Sequence, residues 1–138
     1  MPRNPEDIAR EKIDSLLAQC GWIVQDRDEM DISAGSGVAI REFPLTTGAV
    51  DYLLYADEKA IATVEAKPEN YTLKGVEEQS AKYRKGFPKD LPAWKTPLPF
   101  AFESTGTVTQ FTNFLDPNAC SREIFAFQRP EELLRLVQ

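Results

Sequence analysis

The sequence predicts a single α/β (α+β) domain over residues 1–138, in which a mixed β-sheet is flanked by helices. Its 138 residues are close to the usual length of one domain and are enough to bury one hydrophobic core. The predicted elements follow in the order helix, strand, β-hairpin, helix, strand, strand, which is typical of a mixed sheet. No window is apolar over the length that crosses a bilayer, so we expect a cytoplasmic protein without membrane contact.

The first predicted element is a helix that begins at Pro5 and stops before Gly21. Asn4 is a favoured N-cap, proline suits the first helical position, and glycine commonly follows a helix C-terminus. Glu6 lies within the apolar stripe of this helix, so its side chain is predicted to point inward. The stripe consists of Ala9, Ile13, Leu16, Leu17 and Cys20.

The remaining elements follow from alternation, helical spacing and turn residues. Residues 25–37 are acidic and then glycine-rich, which predicts a surface connection. Residues 48–67, "GAVDYLLYADEKAIATVEAK", predict a β-hairpin with a short turn. The other predicted elements are a strand over 38–43, a helix over 73–87, strands over 100–104, 108–114 and 123–128, and a final helix from Pro130.

Three charged residues stand within the two apolar strands of the hairpin. Alternation along a strand puts Glu65 and Lys67 on one face and Val64 on the other, while Asp51 belongs to the neighbouring strand. A two-residue turn at 57–58 would pair Asp51 with Val64 and separate the two carboxylates. We therefore predict either an odd loop or a compensating β-bulge, which pairs Asp51 with Glu65.

Two carboxylates and a lysine on one surface suit a Mg²⁺-dependent phosphodiester hydrolase. Carboxylate oxygens are hard ligands for the ion, and a lysine can position the attacking water and stabilise developing negative charge. The sequence contains no histidine, and its two cysteines, Cys20 and Cys120, form no C-x-x-C pair, which disfavours a zinc site.

The pattern Asp51 … Glu65-Ala66-Lys67 resembles the PD-(D/E)xK nuclease signature. The hairpin around it resembles the nuclease domain at the N-terminus of the type I restriction enzyme R subunit, the subunit that also carries a DNA translocase. Further segments are similar to the same domain, and together they cover nearly the whole chain. These segments are "EKIDSLLAQCGW" at 11–22, the Q-x-x-x-Y motif at 79–83 and "REIFAFQRPEELLRL" at 122–136.

The resemblance implies a restriction-endonuclease-like fold and a set of functional residues. Asp51 and Glu65 would be metal ligands for Mg²⁺, Lys67 the catalytic lysine, and a first-helix acid would support the metal site. Helical phase favours Glu6 for that supporting role.

The second predicted helix carries the other candidate residues. By resemblance, Gln79 and Tyr83 lie near the active site or the DNA, although both also suit a helix face that packs on the sheet. Lys82, Arg84 and Lys85 form either a solvated helix face or a DNA-binding track. The whole chain has a net charge of −6, whereas residues 67–95 carry seven basic and four acidic side chains.

The function expected from this resemblance is cleavage of duplex DNA by a Mg²⁺-dependent endonuclease domain without its own sequence specificity. The expected partners are a translocase domain in the same polypeptide, which alone would use ATP, and modification and specificity subunits. The alternatives are a stand-alone PD-(D/E)xK nuclease that acts on branched or damaged DNA, and a non-catalytic module of the same fold that docks to DNA or partners.

Overall fold

The computed structural model describes residues 4–46, 48–68, 86, 88 and 91–138. These residues form an α/β fold with one mixed seven-stranded sheet, so the predicted fold class is confirmed. The helix predicted over 73–87 lies outside the described residues, apart from Gly86. The elements are α1 (Pro5–Gln19), β1 (Ile23–Asp26), a 3₁₀ turn (Arg27–Glu29), β2 (Gly37–Leu45), β3 (Gly48–Ala56), β4 (Lys59–Ala66), β5 (Phe100–Ser104), β6 (Thr109–Asn113), β7 (Arg122–Ile124) and α2 (Pro130–Val137).

The strands lie in the sheet in the same order as in the sequence. β1 runs parallel to β2, and β4 runs parallel to β5. The other neighbours, β2–β3, β3–β4, β5–β6 and β6–β7, are antiparallel. The central β4 therefore has an antiparallel neighbour on one side and a parallel neighbour on the other, which makes the sheet mixed.

Helix α1 begins and ends as the sequence predicts. The carbonyl of Asn4 accepts hydrogen bonds from the first free N–H groups of the helix, at 2.9 and 3.1 Å. At the other end, Gly21 has a φ of +91° and donates to the carbonyl of Ala18, while Trp22 donates to the carbonyl of Leu17. This pair of bonds is the Schellman arrangement, and it explains why a glycine ends the helix.

Each face of the sheet is covered by its own apolar cluster. On one face, Ile13 and Leu17 of α1 and Leu133 of α2 pack against Tyr52 and Val64. The other face carries a second cluster that includes Val38, Ile40, Leu53 and Leu98. Because both faces are covered, seven of the eight residues of β4 are buried.

Two predictions about strands were wrong. Residues 25 and 26, assigned to a surface connection, are the last two residues of strand β1, whose exposed and half-buried side chains give no apolar signal. The strand predicted over 123–128 is shorter, because β7 ends at Ile124; Phe125 is exposed and Phe127 turns back into the core.

The hairpin between β3 and β4 confirms the predicted compensating bulge. The turn has two residues, Asp57 and Glu58, with φ values of 47° and 67°. Tyr55 pairs with Ala60, but Leu54 pairs with Ala62, so one residue of β4 is skipped. The shifted register makes Tyr52 the partner of Val64, and its continuation by one residue puts Asp51 opposite Glu65.

Candidate active site

Asp51 lies at the point where β3 and β4 stop pairing. The last paired residues of the two strands are Tyr52 and Val64, and β4 continues from there beside β5. The backbone N–H of Ala66 donates to Oδ2 of Asp51 at 2.8 Å. The carboxylate of Asp51 is therefore fixed directly beside the segment that carries Glu65 and Lys67.

Glu65 is buried, with only 4 % of its surface exposed. Burial and, after it, the negative charge of Asp51 raise the pKa of Glu65 to about 8, while the positive charge of Lys67 lowers it. Asp51 and Lys67 are therefore both close enough to influence the charge of Glu65. The sequence predicted that Asp51 and Glu65 lie opposite each other, but it gave no indication that Glu65 is almost completely buried.

Lys67 follows β4 directly and is half-buried. Its backbone N–H donates to the carbonyl of Ser104 at 2.9 Å, which continues the parallel pairing with β5 by one residue. The backbone of Lys67 is therefore held by β5, while that of Ala66 is held by Asp51. Both neighbours of the active-site segment restrict its position.

Arg10 of α1 is a further charged group of this site. Its Nη2 atom lies 2.5 Å from Oδ1 of Asp51, and its Nη1 atom lies 3.2 Å from Oε1 of Glu42. Together with the N–H of Ala66, Arg10 gives each carboxylate oxygen of Asp51 a donor. A contact between residues 41 positions apart has no signal in the sequence.

The orientation of α1 depends on Asp14, one helical turn after Arg10. The hydroxyl of Tyr52 donates to Oδ1 of Asp14 at 2.6 Å, and Nη2 of Arg41 donates to Oδ2 at 2.9 Å. Burial and this contact with Asp14 raise the pKa of Tyr52, so the phenol remains a donor. These bonds fix α1 on β2 and β3 and thereby bring Arg10 to Asp51.

Glu103 of β5 is the second residue that sequence reasoning missed. It is fully buried and is the parallel partner of Glu65. A signal was present, since Glu103 stands in the apolar strand "FAFES" much as Glu65 stands in β4. A buried glutamate is either protonated or satisfied by partners, so its position beside Glu65 adds a second acid to the interior of the site.

The family model of the "type I restriction enzyme EcoKI endonuclease subunit second domain" matches residues 28–110. The matched range contains Asp51, Glu65, Lys67 and Glu103. The chain belongs to this family.

A solved structure supports the fold of this endonuclease-subunit domain. It is a fragment described as an HsdR subunit of a type I restriction enzyme from Vibrio vulnificus YJ016. The TM-score is 0.71 at 22 % sequence identity, and the match covers 98 % of this chain and 25 % of that one. The domain thus spans about a quarter of the length of that chain. A comparison with curated proteins gives no match.

Several predicted residues of the endonuclease-subunit domain cannot be related to this geometry. Glu6 lies in the first turn of α1, but its side chain is outside the described residues. The residues proposed for the second helix also lie outside them: Gln79, Lys82, Tyr83, Arg84 and Lys85.

The two described helices have 15 and 8 residues, and neither is long and apolar enough to span a bilayer.

The chemistry of the described residues fits a divalent cation. Asp51 and Glu65 offer hard carboxylate oxygens, and Oε1 of Glu65 is buried without a hydrogen-bond partner in the described part of the chain. Among the described residues, no three acidic or cysteine side chains are close enough to form a ligand set by themselves. A cation at this site would therefore need further ligands, such as water or phosphate oxygens, beyond Asp51 and Glu65.

A charged cleft of about 500 Å³ adjoins the site on the side of α1. Its lining has three arginines and six carboxylates, so its charge is negative overall. Such a lining disfavours the binding of a polyanion in this cleft. The lining residues are Arg10, Glu11, Asp14, Asp26, Arg27, Asp28, Glu29, Arg41 and Glu42.

Proposed function

We propose that this chain is the Mg²⁺-dependent endonuclease domain of a type I restriction endonuclease subunit. It hydrolyses phosphodiester bonds of duplex DNA and has no sequence specificity of its own. The observation that carries the proposal is the meeting of Asp51, Glu65 and Lys67 where β3 and β4 separate. Family membership is consistent with this function, since the family is named for an endonuclease subunit.

Each of the three residues has a separate role in the proposed reaction. Asp51 and Glu65 hold the cation through carboxylate oxygens, and the hydrogen bond from Ala66 keeps Asp51 in place. When bound, a divalent cation polarises the phosphate and lowers the pKa of the attacking water. Lys67 orients that water and stabilises the negative charge that develops on the phosphate oxygens.

The buried position of Glu65 suits this role. A carboxyl group with a pKa of about 8 is largely protonated at neutral pH, and a cation at the site would favour its ionised form. Metal binding by Glu65 therefore releases a proton, and metal affinity is expected to rise with pH. The positive charge of Lys67 supports ionisation in the same direction.

Recognition and delivery of the DNA are proposed to be functions of other domains and subunits. Recognition of the DNA sequence is assigned to modification and specificity subunits, and delivery of DNA to an ATP-driven translocase domain in the same polypeptide. The net charge of −6 agrees with a domain that does not capture DNA tightly by itself.

The test is plasmid cleavage by the enzyme assembled from the complete endonuclease subunit and its partner subunits. The Asp51→Asn variant keeps the shape of the side chain and loses its charge, so we expect Mg²⁺-dependent cleavage to be lost. Asp116→Asn, an exposed change after β6, is the matched control and should cut like the wild type. Undiminished cleavage by Asp51→Asn would instead favour the non-catalytic docking module.

A further inference from the structure

We propose that Arg10 is an exchangeable counter-cation of the active site. Its guanidinium pairs with Oδ1 of Asp51, and a divalent cation that takes this oxygen would shift Arg10 wholly to Glu42, which it already contacts. The inference rests on the proposed function, because it requires Asp51 and Glu65 to bind the cation. Arg10, which α1 contributes, would thus compete with the metal for Oδ1 of Asp51.

The two oxygens of Asp51 differ in how readily they can be released. Oδ2 accepts from the backbone N–H of Ala66, which is the last residue of a buried strand and cannot move away alone. Oδ1 is held by the guanidinium of Arg10, a long side chain with 32 % of its surface exposed. A cation that binds Asp51 is therefore expected to take Oδ1 and to displace Arg10.

A second acceptor for Arg10 is already in contact with it. Nη1 of Arg10 lies 3.2 Å from Oε1 of Glu42, whose side chain is 69 % exposed. Asp7, one turn earlier in α1, lies 3.9 Å from the same nitrogen. When Arg10 leaves Asp51 it consequently keeps a carboxylate partner, and no charged group is left buried alone.

The balance of charge favours the exchange. Asp51 and Glu65 are two neighbouring carboxylates, one partly and one almost fully buried. A guanidinium on Oδ1 of Asp51 supplies a single positive charge at the outer carboxylate, whereas a divalent cation supplies two charges to both groups. Such a cation would also give a partner to Oε1 of Glu65, which has none within the described part of the chain.

The test is calorimetric titration of the full chain with Mn²⁺ and with Mg²⁺. Arg10→Gln removes the competing charge, so we expect its metal affinity to be on the order of tenfold higher than that of the wild type, the size typical of one hydrogen bond to a charged group. Arg10→Lys keeps a cation that can pair with Asp51 and should bind metal with nearly wild-type affinity.

A matched control is available in the same cleft. Arg27→Gln removes an equal charge from the lining of this cleft, and Arg27 is an exposed residue of the 3₁₀ turn, outside the bonds that hold α1 on β2 and β3. We expect its metal affinity to stay within about twofold of the wild type. Thermal unfolding gives an independent readout, since metal should raise the melting temperature of Arg10→Gln by more than that of the wild type.

The outcomes separate this inference from the proposed function. If the wild type binds metal and Arg10→Gln binds it equally or more weakly, Arg10 supports the site without competing, and the exchange is refuted. Equal tightening by Arg10→Gln and Arg27→Gln would also refute it, because the loss of any positive charge from the cleft would then explain the effect. If the wild type binds neither cation, the proposed metal site fails and the exchange fails with it.

Discussion

The backbone N–H of Ala66 donates to Oδ2 of Asp51 across the point where β3 and β4 stop pairing, at 2.8 Å. A side chain of one strand thus replaces the backbone acceptor that a continued antiparallel ladder would supply. Because Asp51 accepts this hydrogen bond, β4 can continue beside β5 while Asp51 remains next to the segment that carries Glu65 and Lys67. The candidate active site therefore lies where the antiparallel pairing of β4 with β3 ends and the parallel pairing with β5 continues.

The stability of the metal-free protein should depend on pH through Glu65. Its pKa is raised from 4.5 to about 8, so between these values the folded protein binds more protons than the unfolded chain. The free energy of unfolding should therefore fall as pH rises from about 5 to about 8, by on the order of a few kcal/mol, since one pKa unit is worth about 1.4 kcal/mol.

Urea denaturation at both pH values measures this dependence, with a chelator present. Glu65→Gln should flatten it, because glutamine does not titrate. Glu123→Gln, which changes an exposed residue of β7, should retain the wild-type slope. A wild-type protein that gains stability over this range would contradict the assignment of a buried, protonated Glu65.

The turn of the central hairpin should be stabilised by glycine. Glu58 has a φ of 67°, in the left-handed region where a Cβ atom is unfavourable. Glu58→Gly should raise the free energy of unfolding by about 1 kcal/mol, whereas Glu58→Ala keeps the Cβ atom and should give no such gain. Equal stability of the two variants in urea denaturation would argue against this backbone conformation.

Close packing between β2 and α2 predicts a destabilising substitution at Gly37. A Cβ atom at this position would lie 2.1 Å from Cγ of Pro130 and 3.0 Å from Cε3 of Trp22. Gly37→Ala should lower the free energy of unfolding by about 1–3 kcal/mol, as overpacking of a core does. At Gly35 the nearest atom is Cδ1 of Ile23, the flexible end of a side chain, so Gly35→Ala should be milder.

Features that depend on local chemistry were predictable from the sequence. Gly21, at the end of α1, has a positive φ that few residues other than glycine adopt, and Asn4 is a residue type favoured where a helix begins. The bulge in the hairpin was also predictable, because a regular two-residue turn would have separated Asp51 from Glu65. In this case the hypothesis that Asp51 and Glu65 share a site determined the predicted register of the two strands.

Features that depend on distant parts of the chain were not predictable. β1 is held by its parallel partner β2 and not by a pattern of its own, so its polar end looked like a loop. The burial of Glu65 results from the cover on both faces of β4. Likewise, Arg10 meets Asp51 only because α1 packs on this sheet, and helical spacing alone cannot indicate that contact.

Glu65 and Lys67 have unequal roles in the proposed reaction. Glu65→Ala removes a ligand, so it should weaken Mg²⁺ and Mn²⁺ binding and abolish cleavage together. Lys67→Ala should leave metal binding intact or improve it by removal of a nearby positive charge, while cleavage is lost. DNA binding and translocation by the assembled enzyme should survive both changes.

Calorimetric metal titration of these two variants, beside plasmid cleavage by the assembled enzyme, is the most direct test. We expect weakened metal binding for Glu65→Ala alone and loss of cleavage for both variants. Full cleavage by either variant, or unchanged metal binding by Glu65→Ala, would contradict this expectation.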